Sequence, residues 1–442
     1  MFDSLSLSSP SLRISNLDDP DFVNKQCFPV IAQPIRNEDF SIEFINTQLI
    51  PEVKNIIKQD RKNKFETLPT LIRLILDNFP EDGSSIIRNE IFSTIQSTIK
   101  FGGPRKASDL TELAVEIASS IPKYYRDDLI CEFISHSYQD EDQNTRKLAV
   151  HLIAIVRDFW RVQQYFEILS RDKSSVVRGT VLTILPNCMI DDDSMRNILI
   201  QAANDPHPGV RQVAATVIGK ASPPLLDEYK KLLSNSITVR YAFPSLPEIV
   251  MATSFSQVID AFFEAIKIDR NDAAVALLET ASKNDIKSEE PLYLRAASEL
   301  VSFTPFAWRL HSFAQNFTNQ SDFIELLDPT NIPDWRTRYA LLKQCEEFIP
   351  VLGNQLVRLA EIYSEDQTAI IRNESANLWS MLVSSDNSLI KCMEERLLRG
   401  SWQKRLVLCK VIKQVGISIF SSDVVNKLRN DEICNVRDCI NL

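Results

Sequence analysis

The chain has 442 residues, 44% hydrophobic and 24% charged, with 49 basic against 59 acidic side chains and a formal charge of −10. That acidic balance disfavours nucleic acid and anionic membrane as partners, since both are held by basic surfaces. With only 9 glycines the pattern favours helices joined by short turns, and no stretch approaches the roughly 18 continuous apolar residues of a membrane span.

Residues 1–34 are rich in Ser, Asp and Pro, lack an apolar signal core, and are expected to be disordered. From about residue 35 one pattern recurs: an aspartate, five residues, then an arginine opening an apolar helical stretch. It occurs as Asp82 to Arg88, Asp140 to Arg146, Asp172 to Arg178, Asp205 to Arg211, Asp366 to Arg372 and Asp431 to Arg437. Arg146, Arg178 and Arg211 stand 32 and 33 residues apart, and Arg338, Arg372, Arg405 and Arg437 follow at 34, 33 and 32. A fixed period of this size marks a solenoid, in which each unit buries its apolar face only against its neighbours.

Each unit reads as two helices. An amphipathic stretch such as YFEILSRD or LVRLAEIYSED precedes the Asp, with apolar residues at helical spacing. The Asp falls in a polar turn, where its carboxylate can accept backbone N–H groups at the start of the second helix. Six residues is too far for a pair on one helix, so the Arg is expected to reach the neighbouring unit's Asp. Stacking then makes a ladder of charge-assisted bonds, each worth about 0.5–1.5 kcal/mol. Degenerate units are placed near 60–75 and 107–121, and two more in the 98 residues between Arg240 and Arg338. Roughly fourteen antiparallel helix pairs result. The sequence given ends five residues after Arg437, within the fourteenth.

The eight cysteines are scattered through apolar segments and read as reduced core residues, with Cys434 and Cys439 near enough in sequence to be noted. The four histidines stand alone and form no zinc spacing. There is no phosphate-binding loop, nucleophile elbow or dinucleotide fingerprint, so neither catalysis nor a cofactor is expected. Trp160, Trp308 and Trp379 lie in apolar helical context and are expected in the core, whereas Trp335 and Trp402 fall in turns.

The motifs VVRGTVLTI, GVRQVAATVIGKA, IIRNESANLWSML, IRNEDFSIEF and PDWRTRYALLKQCEEFIPVLGNQL resemble, in their order, the HEAT-repeat scaffold (A) subunit of protein phosphatase 2A. The resemblance implies an all-α, α-α superhelix: a single HEAT-repeat solenoid over 35–442. A regulatory-subunit side would lie at about 35–240 and a catalytic-subunit side at about 320–442. It implies a non-catalytic scaffold holding a serine/threonine phosphatase catalytic subunit and a regulatory, B-type subunit on the ridge of intra-repeat turns; the lack of a membrane span and of a signal core sets the expected place as the cytoplasm, with the nucleus second. Trp335 and Arg336 match the family's Trp-Arg contact for the catalytic subunit. Trp402 and the Asp431 turn match further contacts, and Asp140 falls on the regulatory side, where Gln143 and Asn144 depart from the family's Pro-Met. An importin-like adaptor for protein cargo, and an enzyme of HEAT-like fold, are the alternatives; the second would need a basic face that the net charge denies.

Overall fold

A computed structural model describes residues 40–59, 62–188 and 190–441. The expected disorder of 1–34 lies outside the described residues. Every regular element among the described residues is helical, and the helices pair and stack as an all-α repeat solenoid. The fold divides into two compact units that meet in sequence at Leu225 and Leu226.

In the first unit the regular repeats run through α1 (Gln143–Ile153), α2 (Gln163–Ser170), α3 (Ser175–Ile184), α4 (Asp192–Ala203) and α5 (Pro208–Val217). The second helices α1, α3 and α5 pack side by side, and α2 and α4 back them. Their inward residues are apolar and small: Leu148, Leu152, Val177, Val181, Val210 and Ala214 are all buried. The turn before each second helix follows one plan. Asp172 Oδ1 accepts the Ser174 N–H at 2.7 Å, and Ser174 Oγ then caps α3 through the Val176 N–H. Asp205 does the same for the His207 N–H at 2.8 Å, and His207 Nδ1 caps α5. The repeated Asp therefore shapes the turn, while the residue two places on caps the helix.

Nearer the start the plan changes. Asp82, expected in a turn, is an exposed residue in the first turn of the helix Pro80–Ile86. Arg88 accordingly finds no turn aspartate and donates to Glu132 at 2.5 Å. The segment read as one degenerate unit forms two long helices, Pro104–Ser120 and Lys123–Ser137.

In the second unit the regular repeats run through α6 (Trp335–Glu347), α7 (Val357–Ser364), α8 (Ala369–Ser385), α9 (Leu389–Leu398), α10 (Trp402–Val415), α11 (Ser422–Arg429) and α12 (Cys434–Asn441). Here α6, α8, α10 and α12 form the row of second helices. Polar ties lock α7 to α8 inside the core: Trp379 Nε1 donates to Ser364 Oγ at 3.1 Å, and Ser364 and Ser375 hydroxyls stand 2.9 Å apart. Buried donors paired in this way cost little and define one arrangement of the two helices.

Between residues 246 and 334 the Asp-x5-Arg pattern is absent, and aromatic packing takes over. Phe317 sits 4.9 Å from Phe313 and 4.8 Å from Phe323, and Phe255 stacks on Tyr293 at 4.3 Å, ring centre to ring centre. Aromatic pairs of this geometry add about 0.5–1.5 kcal/mol beyond the area they bury.

Candidate protein-binding ridge

The arginines join each turn to the next. Arg146 sends Nε and Nη2 to the two carboxylate oxygens of Asp172 at 2.6 and 2.9 Å, while Nη1 donates to the Asp140 and Glu141 carbonyls of its own turn. Arg178 repeats this with Asp205 at 2.7 and 2.8 Å. In the second unit Arg338 binds Asp366 at 2.7 and 3.2 Å, and Arg405 binds Asp431 at 2.6 and 3.2 Å. Arg211, Arg372 and Arg437 each donate Nη1 to the two carbonyls of their own turn.

These pairs are drier than a surface bridge: the Arg146 and Asp172 side chains are 4% and 7% exposed. Burial opposes the charge on Asp205, but the bonds from Arg178 and from the His207 N–H outweigh it, and its carboxyl titrates below the ordinary carboxylate range. Asp431 behaves alike, with Arg405 and the Ile433 N–H overcoming burial. The Asp172 hydrogen bond, ahead of the burial that opposes it, raises the Arg146 guanidinium further.

The ladder also consumes residues expected to face a partner. Asp431 is enclosed by Arg405 and the Ile433 N–H, so the carboxylate its turn presents outward is that of Glu432, 84% exposed. Asp140 is held by Gln96 at 3.0 Å, Lys100 at 2.7 Å and the Asp142 N–H at 2.9 Å. Both acids stand inside the framework rather than on its surface.

The aromatic residues of the turns stay outside. Trp335 is the first residue of α6, placed there by Asp334, whose carboxylate accepts the Arg336 N–H at 3.2 Å. Its indole is 38% exposed, with the Arg336 guanidinium 5.0 Å from the ring centre. Trp402 begins α10, half-buried, with the guanidinium of Arg372 5.6 Å from its ring. Since Arg338 ties the Trp335 turn to Asp366, and Arg372 reaches from the Asp366 turn to Trp402, the two tryptophans lie along one line of turns. Ile370, 44% exposed, lies in the first turn of α8, the second helix between α6 and α10.

Two tryptophans expected in the core are outside it. Trp160 is 76% exposed in a short turn, and Trp308 is 46% exposed, edge-on to Tyr339 at 5.8 Å. Lys343 lies 5.9 Å from the Tyr339 ring and bonds Glu374 at 2.6 Å, so Trp308 heads a polar and aromatic strip along the second helices. Only the fully buried Trp379 fills a core position. The sequence signal that could have flagged Trp308 is the Arg309 beside it, as Arg336 is beside Trp335.

Among the described residues no group of three or more His, Cys, Asp or Glu side chains could hold a metal ion, and no helix is long and apolar enough to cross a membrane. What the arrangement can do is present apolar anchors with charged rims to another protein. No family model matches the chain, and no curated protein matches it. Solved structures of helical-repeat proteins do. Kap121p bound to RanGTP matches at 14% identity and a TM-score of 0.48, covering 96% of this chain and 48% of that one. Kap95p, from a study of its binding to RanGDP, matches at 12% identity and 0.44, covering 91% and 69%. Yeast importin-β (Kap95p) matches at 12% and 0.42, covering 96% and 60%. The chain thus spans about half the length of Kap121p. At these identities and scores the likeness adds nothing to the repeated-helix architecture described above.

Proposed function

We propose that the chain is a non-catalytic scaffold that docks a globular protein on the line of turns carrying Trp335, Ile370 and Trp402. The observation that carries this is the exposed Trp335 indole beside Arg336, on a turn fastened to the next by the Arg338–Asp366 pair. A large aromatic held at a rigid turn loses little entropy on binding, and Trp with Arg is the composition of interface hot spots. The partner proposed for this half is the catalytic subunit of a type 2A serine/threonine phosphatase, on the resemblance of the W-R-x-R turn, with a regulatory subunit on the first unit. The chain would then work in the cytoplasm and nucleus.

A second reading is an importin-like adaptor for protein cargo, and a separate observation favours it. Cargo adaptors of this kind would use the faces of the second helices, where the exposed Trp308 meets the half-buried Tyr339 and Lys343. The solved import receptors share the helical architecture, and their binding to Ran is a property of those proteins.

One experiment separates the readings. The tagged full chain is mixed with purified type 2A catalytic subunit, or with a Ran-type GTPase loaded with GTP, and the captured protein is quantified. Stoichiometric capture of the catalytic subunit is expected, with Trp335→Ala and Trp402→Ala each weakening it by about 1.5–4 kcal/mol. Capture of the GTPase alone, lost in Trp308→Ala, would replace the phosphatase reading with the adaptor.

A further inference from the structure

The ladder has a gap in the second unit. At four rungs an arginine gives Nε and Nη2 to the carboxylate of an Asp 26 to 28 positions later, and that carboxylate also takes the N–H two residues on. Arg372 is built for the same contact. Its Nη1 is anchored on the Asp366 and Gln367 carbonyls at 2.6 and 2.8 Å, as Arg146, Arg178 and Arg338 are on theirs. Yet the residue 27 positions later is Arg399, exposed and of the wrong charge. The Nε of Arg372 is left buried without a partner.

A second group is left over at the same place. Two residues after Arg399 stands Ser401, at the position whose N–H the carboxylate takes elsewhere. The Ser401 hydroxyl is buried and unpartnered, and it makes no capping bond to the 14-residue helix α10 that it precedes. Native structures seldom leave buried donors idle, and each that does calls for an explanation. The nearby acids do not supply one: Glu361 is engaged by Arg396 at 2.6 Å and Lys404 at 3.0 Å, and Glu365 by Lys404 at 3.4 Å. The Trp402 ring forms one wall, against the Arg372 guanidinium.

We propose that Arg372, with Ser401 and Trp402, is an acceptor site for a carboxylate of the docked protein, so that an Asp or Glu side chain of the partner completes the rung this chain leaves open. Arg372 supplies Nε and Nη2 in the paired geometry its sisters use, and Ser401 supplies a hydroxyl. A half-buried arginine whose enclosed Nε meets a carboxylate only in the complex gives a charge-selective contact beside the aromatic anchor. The proposal rests on the reading that this line of turns docks a protein, and it adds the chemistry demanded of that protein at this point.

The test closes the gap from within. Arg399→Asp puts a carboxylate where the other rungs have one, and Arg399→Ser removes the cation without adding an acceptor. Arg399→Asp is expected to raise Tm by about 2–4 °C, and Arg399→Ser to leave it unchanged. In ¹⁵N-arginine spectra of the full chain, acetate is expected to shift the Arg372 Nε–H signal, assigned by its loss in Arg372→Lys, and to leave it unmoved in Arg399→Asp. Capture of the type 2A catalytic subunit should fall about tenfold or more in Arg372→Gln and Arg399→Asp and persist in Arg399→Ser. An unchanged Tm in Arg399→Asp together with no acetate shift overturns the proposal. So does a shift produced by inorganic phosphate and not by acetate, which would make the site one for a phosphate group. If the Tm and acetate responses appear while the wild-type chain captures no catalytic subunit, the carboxylate site stands and the choice of partner falls.

Discussion

Arg178 and Asp205, 27 positions apart, meet through two parallel hydrogen bonds of 2.7 and 2.8 Å, while the same guanidinium holds the Asp172 carbonyl of its own turn at 2.7 Å. One side chain thus fastens its own loop and the next. Removing either partner leaves the other charge with little solvent, since the side chains are 15% and 8% exposed. Arg178→Ala or Asp205→Ala should each cost about 2–4 kcal/mol. The double variant should cost clearly less than the sum, and denaturant unfolding of all four proteins measures the difference. Strict additivity would show that the pair is not coupled.

The same carboxylates set the response to acid. Asp140, Asp205 and Asp431 all titrate below their ordinary value in the folded chain, burial opposing and hydrogen bonds prevailing. Folding therefore releases protons in the window between the two pKa values. Their stabilisation is fully present above the unfolded value, near pH 4, and disappears as pH falls through the folded values. Tm should be nearly level from about pH 8 to 6 and drop steeply below about pH 4. Asp205→Asn should show a lower plateau and a shallower drop; an equal slope in the variant would assign the acid sensitivity to other groups.

The second unit depends on Trp379. Its indole is fully buried and gives its N–H to Ser364, whose hydroxyl in turn donates to the Ala360 carbonyl at 2.7 Å. Trp379→Phe keeps the apolar contact but removes a donor and opens a void, costing about 1–3 kcal/mol; Trp379→Ala should cost about 3–5 kcal/mol. Calorimetric unfolding with the single variants checks both values.

Cys439 should be the reactive thiol of the chain. The neighbouring Cys409 thiol lowers its pKa, burial opposes, and Lys413 and Lys410 assist. Thiolate is the nucleophile, so at pH 7 iodoacetamide should label Cys439 ahead of the more exposed Cys434, and the preference should fade as the pH is lowered. Cys409→Ala should slow the labelling of Cys439. Peptide mass spectrometry reads the site directly, and faster labelling of Cys434 at pH 7 would contradict the assignment.

The helical repeats were readable because their signal is local and repeated: Asp, a short polar turn, and Arg opening an apolar helix. Even the reach of Arg146 and Arg178 to the next unit follows from the distance of six residues within one turn. What the sequence did not disclose depends on direction. Trp308 has Phe306, Ala307 and Leu310 around it, all buried, and only the rotation of its short helix turns the indole toward Tyr339 and solvent. Asp82 carries the motif spacing, but Pro80 starts a helix in front of it and draws the aspartate out of the turn. In sequence Cys439 is five residues from Cys434, whereas packing of α10 on α12 brings it to Cys409. Asp140 and Asp431 looked outward by analogy and are enclosed by cations that lie 40 and 26 positions earlier.

The grip of each arginine on its own turn has a consequence for length variation. The interval from arginine to aspartate is 26 residues for Arg146 to Asp172, 27 for Arg178 to Asp205 and 28 for Arg338 to Asp366, yet the paired bonds are the same. Because the guanidinium is aimed from behind by carbonyls five and six positions earlier, the first helix between the two residues can gain or lose a residue without misdirecting it. Indels should therefore be tolerated in the loops leading into the first helices and rejected in the five residues between Asp and Arg, where a single insertion would rotate the arginine away from the carboxylate it serves.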